Sequence, residues 1–264
     1  MIRSTKTVLG LALAALLAAC GGEEGASRTL RVGATPVPHA EILEHVKPLL
    51  AREGIELEVV TFTDYVQPNL ALAAGELEAN YFQTIPYLES FNRDRRADLT
   101  PVARVHVEPM GLYSGKIKSL ASLPNGATIA LPSDPTNTGR ALLLLQSAGL
   151  LKLRPDAGVD ASVLDVADNP RGLRFTELES AQLPRALPDV DAAVINTNFA
   201  LEAGLNPTRD ALAVEGANSP YVNVLAVNGK TDDPRIQALT RALTGPEVRG
   251  NIQERYRGAV LPGK

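Results

Sequence analysis

The sequence is poor in the residues that most chemistry needs. It has one cysteine among 264 residues, so it can form no intramolecular disulfide and no thiolate metal cluster. It has three histidines, His39, His45 and His106. His39 and His45 are six apart, on roughly opposite faces of a helix, so spacing alone reads all three as surface or hydrogen-bonded side chains. There is no basic run, and the net charge is −4, a poor match to nucleic acid. The chain contains no GxSxG elbow, no GxxxxGK[ST] phosphate loop and no HExxH helix. Carboxylate pairs such as Asp232-Asp233 read as solvated charge near a helix cap. No catalytic constellation stands out, and no enzyme activity is expected. There is no internal repeat, and no long Pro/Gly/Ser linker to mark a domain boundary.

What is present begins at the N-terminus. Arg3 and Lys6 precede the apolar run Val8 to Ala19, whose dozen residues fall short of the ~20 needed to span a bilayer and fit the core of a secretory signal. The run ends in Leu17-Ala18-Ala19-Cys20, which resembles a bacterial lipobox. Residues 1–19 are then a signal peptide, Cys20 the lipidated N-terminus and residues 20–28 a flexible tether. Removal of Arg3 and Lys6 leaves 24 of the 26 basic residues against 30 acidic ones, moving the net charge to −6.

From Thr29 onward strand and helix patterns alternate. Leu30, Val32 and Ala34 make a strand pattern; Ile42, Leu43, Val46, Leu49 and Leu50 recur at helical spacing; Ile55, Leu57 and Val59 alternate again. Further strands are expected at ANYF, PVARVHVEPMGLYS, GATIALP, DAAVI and YVNVLAV. One long C-terminal helix is expected, capped by Asp233 with Pro234 at its first position. The order predicts an α/β protein with parallel sheets.

Three stretches carry candidate chemistry. In SDPTNTGRALLLLQ, four capping residue types precede Gly139 and Arg140. A helix start supplies N–H groups and positive potential, Gly139 lets something approach the backbone, and Arg140 offers a fork for a carboxylate. A structural salt bridge from Arg140 to a protein carboxylate is the competing reading. Five of the eleven aromatics lie between Tyr65 and Phe91. Tyr65 and Phe82 stand at strand ends, where open α/β sheets bind ligands, and aromatic walls suit a thioether. Asn196 and Asn198 follow an apolar strand, and Asn223 lies inside one; a buried Asn must find partners and suits a zwitterion because it both donates and accepts.

The motifs DYVQPNLALAAGELEANYFQ, IPYL, HVEPMGLYS, LPSDPTNTGRALLLLQSAGL, DAAVINTNFALEAGL and SPYVNVLAV together resemble the NlpA-type methionine-binding lipoproteins, the receptors of methionine ABC importers. The resemblance covers nearly everything from Thr29 onward. It implies a two-lobed periplasmic-binding-protein fold, type II-like, with two crossover strands near Tyr113 to Lys116 and near Tyr221 to Asn223. Lobe 1 would comprise 29–114 and 223–264, and lobe 2 would comprise 115–222. It places ligand contacts on Tyr65, Phe82, Thr84, Tyr87, Arg140, Asn196 and Asn223. Arg140 would take the carboxylate, the two asparagines the amino and carboxylate groups, and the aromatics the thioether; Asn198 is weaker. Thr84 stands where the family usually has His, which leaves L-methionine, D-methionine, a methionine-containing dipeptide and another small amino acid open. The implied setting is the cell envelope, with the acylated Cys20 in a bacterial membrane, the protein facing the periplasm or exterior, and a permease and ATPase complex as partner. No cofactor and no metal are expected; a metal-binding receptor and a structural lipoprotein are the less favoured alternatives.

Overall fold

In the computed structural model, which describes residues 28–216 and 219–263, two mixed β-sheets each carry their own helices. The first sheet contains β1 (Thr29–Ala34), β2 (Glu56–Thr61), β3 (Ala79–Thr84), β4 (Leu99–Val107), β12 (Val222–Asn228) and β13 (Leu261–Pro262). The second contains β5 (Gly111–Tyr113), β6 (Thr128–Pro132), β9 (Arg174–Leu178), β10 (Ala192–Ile195) and β11 (Ala213–Val214). A small hairpin, β7 (Lys152–Leu153) with β8 (Val166–Asp168), hangs off the second. Cys20 and most of the tether lie outside the described residues. No helix of the described residues is long and apolar enough to cross a membrane.

Period-2 alternation gives each sheet two packed faces. In the first sheet Leu225 and Val227 of β12 point to one core with Leu30, Val32 and Ile42, while Val224 and Ala226 point to the opposite one with Leu72, Leu88 and Phe91. The former is covered by α1 (Glu41–Arg52), α8 (Pro234–Thr244) and α9 (Pro246–Tyr256); the latter by α2 (Gln67–Ala73) and α3 (Ile85–Arg95). The second sheet works the same way. Ile129 and Leu131 of β6 meet Leu142 and Leu145 of α4 (Pro135–Ser147), and Ala130 faces Leu183 of α5 (Leu183–Ala186) and Phe199 of α6 (Thr197–Glu202). A last short helix, α7 (Pro207–Asp210), leads to β11.

Three expectations change. The sheets are mixed: β12 runs antiparallel to both β3 and β4, and β5 antiparallel to β10. Hydrophobic runs report burial on both faces but carry no information on strand direction. The C-terminal helix is two helices, because Pro246 has no N–H to continue the ladder and pushes Gly245 to an extended ψ of 165°. The first crossing precedes the expected place. Residues 111–113 pair within the second sheet, so the chain changes sheet across Glu108–Met110 and not near Tyr113–Lys116. Pro109 is the physical reason for the break, since it cannot donate to a ladder. The return runs from the end of β11 at Val214 to Val222, the first residue of β12 and a member of the first sheet.

Candidate functional site

Between the two sheets lies a cleft of about 360 Å³ lined by all seven expected residues: Tyr65, Phe82, Thr84, Tyr87, Arg140, Asn196 and Asn223. His39, Gln83, Glu108, Asn137, Thr197 and Asn198 complete it.

One wall is aromatic. Phe82 lies two residues before the end of β3 and points to the cleft side, and its neighbour Tyr81 points to the opposite face, as alternation requires. Tyr65 lies 6.1 Å from Phe82, 5.8 Å from Tyr87 and 5.0 Å from Phe199 of α6, ring centre to ring centre. The hydroxyls have fixed partners. Tyr87 donates to the Tyr65 carbonyl at 3.0 Å, and Tyr65 donates to Asn198 Oδ1 at 2.6 Å. Burial pushes both phenol groups upward from their ordinary range. Thr84 pairs in register with Asn223 across β3 and β12, so their side chains share the cleft face.

The opposite wall is built at the start of α4. Asp134 caps the helix, accepting the Asn137 N–H at 2.9 Å and the Asn137 amide at 3.0 and 3.1 Å. Asn137 Oδ1 in turn accepts from Asn196 Nδ2 at 2.9 Å. The helix start therefore stabilises its own cap and an asparagine scaffold; the Asn137 N–H does not stand open to a ligand. Gly139 has an equally internal reason. A Cβ there would come within 2.2 Å of the Val159 carbonyl, so what approaches the backbone is another stretch of the protein.

Arg140 is both scaffold and cleft lining. It is 4 % exposed. Its Nε lies 3.2 Å from both oxygens of Glu215, and its Nη2 lies 2.5 Å from Glu215 Oε2 and 2.7 Å from the Glu108 carbonyl. The Tyr221 ring stacks 4.3 Å from the guanidinium carbon. These contacts hold one edge of the fork; Nη1 has no partner among the described residues.

Two further polar atoms are spare. Asn196 Oδ1 and Asn198 Nδ2 are buried without a hydrogen-bond partner, although each side chain is otherwise anchored. A buried amide left this way costs about 1–3 kcal/mol. One orphan is an acceptor and the other a donor, which is the pair a zwitterion satisfies. Asn198 was the weaker candidate on sequence, and its bond to Tyr65 could not be read from spacing.

Beneath the cleft lies a buried group that sequence spacing missed. His39 Nε2 is 3.2 Å from Glu108 Oε1 and 3.0 Å from Asn223 Oδ1; His106 Nε2 is 2.7 Å from the same Glu108 oxygen. His39 Nδ1 meets Thr35 Oγ1 at 2.7 Å, and His106 Nδ1 meets the Tyr81 hydroxyl. Burial holds both imidazoles neutral, pulling His39 down to about 4 and His106 to about 3, and raises the Glu108 carboxyl. His45 lies elsewhere, near Glu247. The spacing rule compared two histidines of one helical pattern, whereas the partners come from separate segments.

The model of the NlpA lipoprotein family matches residues 30–264. The chain is 45% identical to the membrane lipoprotein TpN32 of Treponema pallidum, over 88% of this chain and 87% of that one. It is 40% identical to the D-methionine-binding lipoprotein MetQ of Escherichia coli, over 94% and 93%. Among solved structures, a nutrient binding protein from Burkholderia cenocepacia bound to methionine superposes with a TM-score of 0.85 at 46% identity, covering 88% of this chain and 99% of that one.

Proposed function

The chain belongs to the NlpA lipoprotein family, and from that premise we propose that it is a lipid-anchored substrate-binding protein that captures methionine, or a close analogue, in its cleft and delivers it to an ABC importer. Relatives named for methionine or D-methionine binding support the ligand class, as does the methionine-bound neighbour. The observation that carries the reading is the pair of orphaned amide atoms, the acceptor Asn196 Oδ1 and the donor Asn198 Nδ2, on two residues that line a cleft with an aromatic wall.

Asn196 Oδ1 accepts from the α-ammonium. Arg140 Nη1 and Asn198 Nδ2 donate to the carboxylate, and Asn223, whose Oδ1 is engaged by His39, offers its Nδ2. Tyr65, Phe82 and Tyr87 enclose the thioether, which packs well against ring edges. Thr84 adds a small side chain beside Asn223 and bears on which analogue fits best. No group in the cleft needs to act as nucleophile or acid for this task, and the protein is not an enzyme in this reading. Cys20 carries the lipid, the protein faces the periplasm or exterior, and the partner is a permease and ATPase complex.

Titration calorimetry of ligand-stripped protein against L-methionine, D-methionine, a methionine dipeptide and other small amino acids tests this. Saturable binding of one methionine species, weakened at least about tenfold in Asn198→Ala by loss of one hydrogen bond to a charged group, is expected. No binding of any methionine species would overturn it.

A further inference from the structure

We propose that His39, His106 and Glu108 form a binding site for one borderline divalent transition-metal ion of the Zn²⁺ class, with its open position toward the cleft. The donor atoms lie within 4.8 Å of one another, and both Nε2 atoms aim at a single carboxylate oxygen, at 3.2 and 2.7 Å. Donors ~2.0–2.2 Å from a tetrahedral zinc stand ~3.3 Å apart. Admitting the ion thus needs a shift of the Glu108 carboxylate of roughly half an ångström at the His106 side and almost none at the His39 side.

The surroundings have the form that metal ligands require. Each ring nitrogen that does not face Glu108 meets a hydroxyl, Thr35 Oγ1 for His39 and the Tyr81 phenol for His106. A hydroxyl can accept as well as donate, so on metal binding both imidazoles can shift their proton from Nε2, where it faces oxygen acceptors before the ion binds, to Nδ1 and present the Nε2 lone pair, the second-shell arrangement that orients metal-bound histidine. Imidazole ligates in its neutral form through a free ring-nitrogen lone pair. Glu108 is 5 % exposed, yet no Lys or Arg bonds its carboxylate among the described residues. Arg140 touches its backbone carbonyl instead and spends its other contacts on Glu215. Apart from the imidazoles, the Glu108 charge is met among the described residues only by the Asn198 N–H and, without direct contact, by Arg140, and two imidazoles beside it select a borderline metal over Ca²⁺ or Mg²⁺. His39 and Glu108 both line the cleft, which supplies an entry path and a free coordination position. Asn223 Oδ1, 3.0 Å from His39 Nε2, is a further oxygen at that position.

The site is tested without any amino acid present, so its fate and that of the methionine reading are separable. The full chain, purified in detergent and stripped with a chelator, is dialysed against Zn²⁺ alone and its metal content measured. One Zn²⁺ per chain is expected. Affinity should fall about 10- to 100-fold in Thr35→Val, which removes an outer-shell partner, and by more in His106→Gln and Glu108→Gln; His45→Gln should bind as the parent does. Circular dichroism and melting establish that each variant folds. Should the ligand variants fail to fold, X-ray absorption at the zinc edge of the unmodified protein decides, with two imidazole nitrogens and carboxylate oxygen at ~2.0–2.2 Å expected. Absence of zinc uptake, uptake that survives His106→Gln in a folded protein, or an edge spectrum without imidazole would overturn the proposal and leave the three side chains as a hydrogen-bonded brace.

Discussion

Replacing Arg140 by Ala separates the two roles that the structure gives this residue. In the ligand-free protein the substitution strips Glu215 of three charge-assisted contacts, at 2.5 to 3.2 Å, and leaves the Glu108 carbonyl without its donor. Breaking a buried pair from one side costs about 3–5 kcal/mol. Glu215 keeps the Met110 N–H and the Ser219 hydroxyl, both at 3.2 Å, and its side chain is 16% exposed, so the loss belongs at the low end, about 3 kcal/mol. For a domain of this size that lowers the melting temperature by about 6–12 °C. Ligand affinity should fall separately, by about 1.5–3 kcal/mol for a lost contact to a carboxylate, or roughly 10- to 140-fold. The double variant Arg140→Ala/Glu215→Ala removes the stranded charge as well, and should regain much of the melting temperature while regaining none of the affinity. Calorimetric melting of the empty proteins beside titration with methionine reads both quantities. An unchanged melting temperature in Arg140→Ala refutes the ion pair as a stabilising element, and an unchanged affinity refutes the carboxylate clamp.

Gly139→Ala places a Cβ 2.2 Å from the Val159 carbonyl and should destabilise by about 1–3 kcal/mol through overpacking, measurable as a lower denaturation midpoint; a neutral result would mean that the 158–160 segment yields freely. Acid should weaken the fold through the buried histidines. Their folded values, about 4 for His39 and about 3 for His106, lie below the ordinary 6.5, so the unfolded chain binds protons first. Stability is full above pH 6.5 and declines as pH falls toward 4, by up to about 1.4 kcal/mol per pH unit for each ring, with the raised Glu108 opposing the trend. Melting temperatures across that window should fall more steeply for the parent than for His106→Gln, and parallel curves would contradict it. On the proposed anchor, Cys20→Ser should release the protein from washed membranes or leave the signal uncleaved, because it removes the lipid's buried methylenes, ~0.8 kcal/mol each; a variant processed and retained like the parent would refute the anchor.

The parts of the fold visible in the sequence are those set by local pattern. Alternation located β1 and β2, an apolar run located β12, and the Asp233-Pro234 pair located the start of α8. The break at Gly245-Pro246 is equally local, but apolar positions on both sides, Leu243 and Val248, mask it. Strand direction was not visible, nor was the sheet to which residues 111–113 belong, because both depend on pairings between distant segments. In the cleft, residue types were legible one by one. Which of them are spare was not. Glu215 lies 75 residues from Arg140, and Asn198 lies 133 residues from Tyr65. Only their meeting decides which edge of the guanidinium and which amide atoms remain for a ligand. The convergence of His39 and His106 depends likewise on β4 and the turn after β1 reaching the same point beneath the cleft.

The place of β12 in the first sheet has a consequence for how the molecule is born. The strand order is β13-β4-β12-β3-β1-β2, so β4 and β3 touch only through a strand that the ribosome makes more than a hundred residues later. The second sheet draws all its strands from Gly111 to Val214 and can close from one uninterrupted stretch. As the chain emerges N-terminus first, β1, β2 and β3 stand with an unpaired flank, a template for association with other chains, until Val222–Asn228 arrives. Closing so long a loop is slow relative to local structure. The late arrival of β12 therefore keeps the N-terminal half unfinished for most of synthesis. It also means that Asn223 enters the cleft among the last of its residues, and that a chain truncated before β12 should accumulate as aggregate while the second sheet still folds.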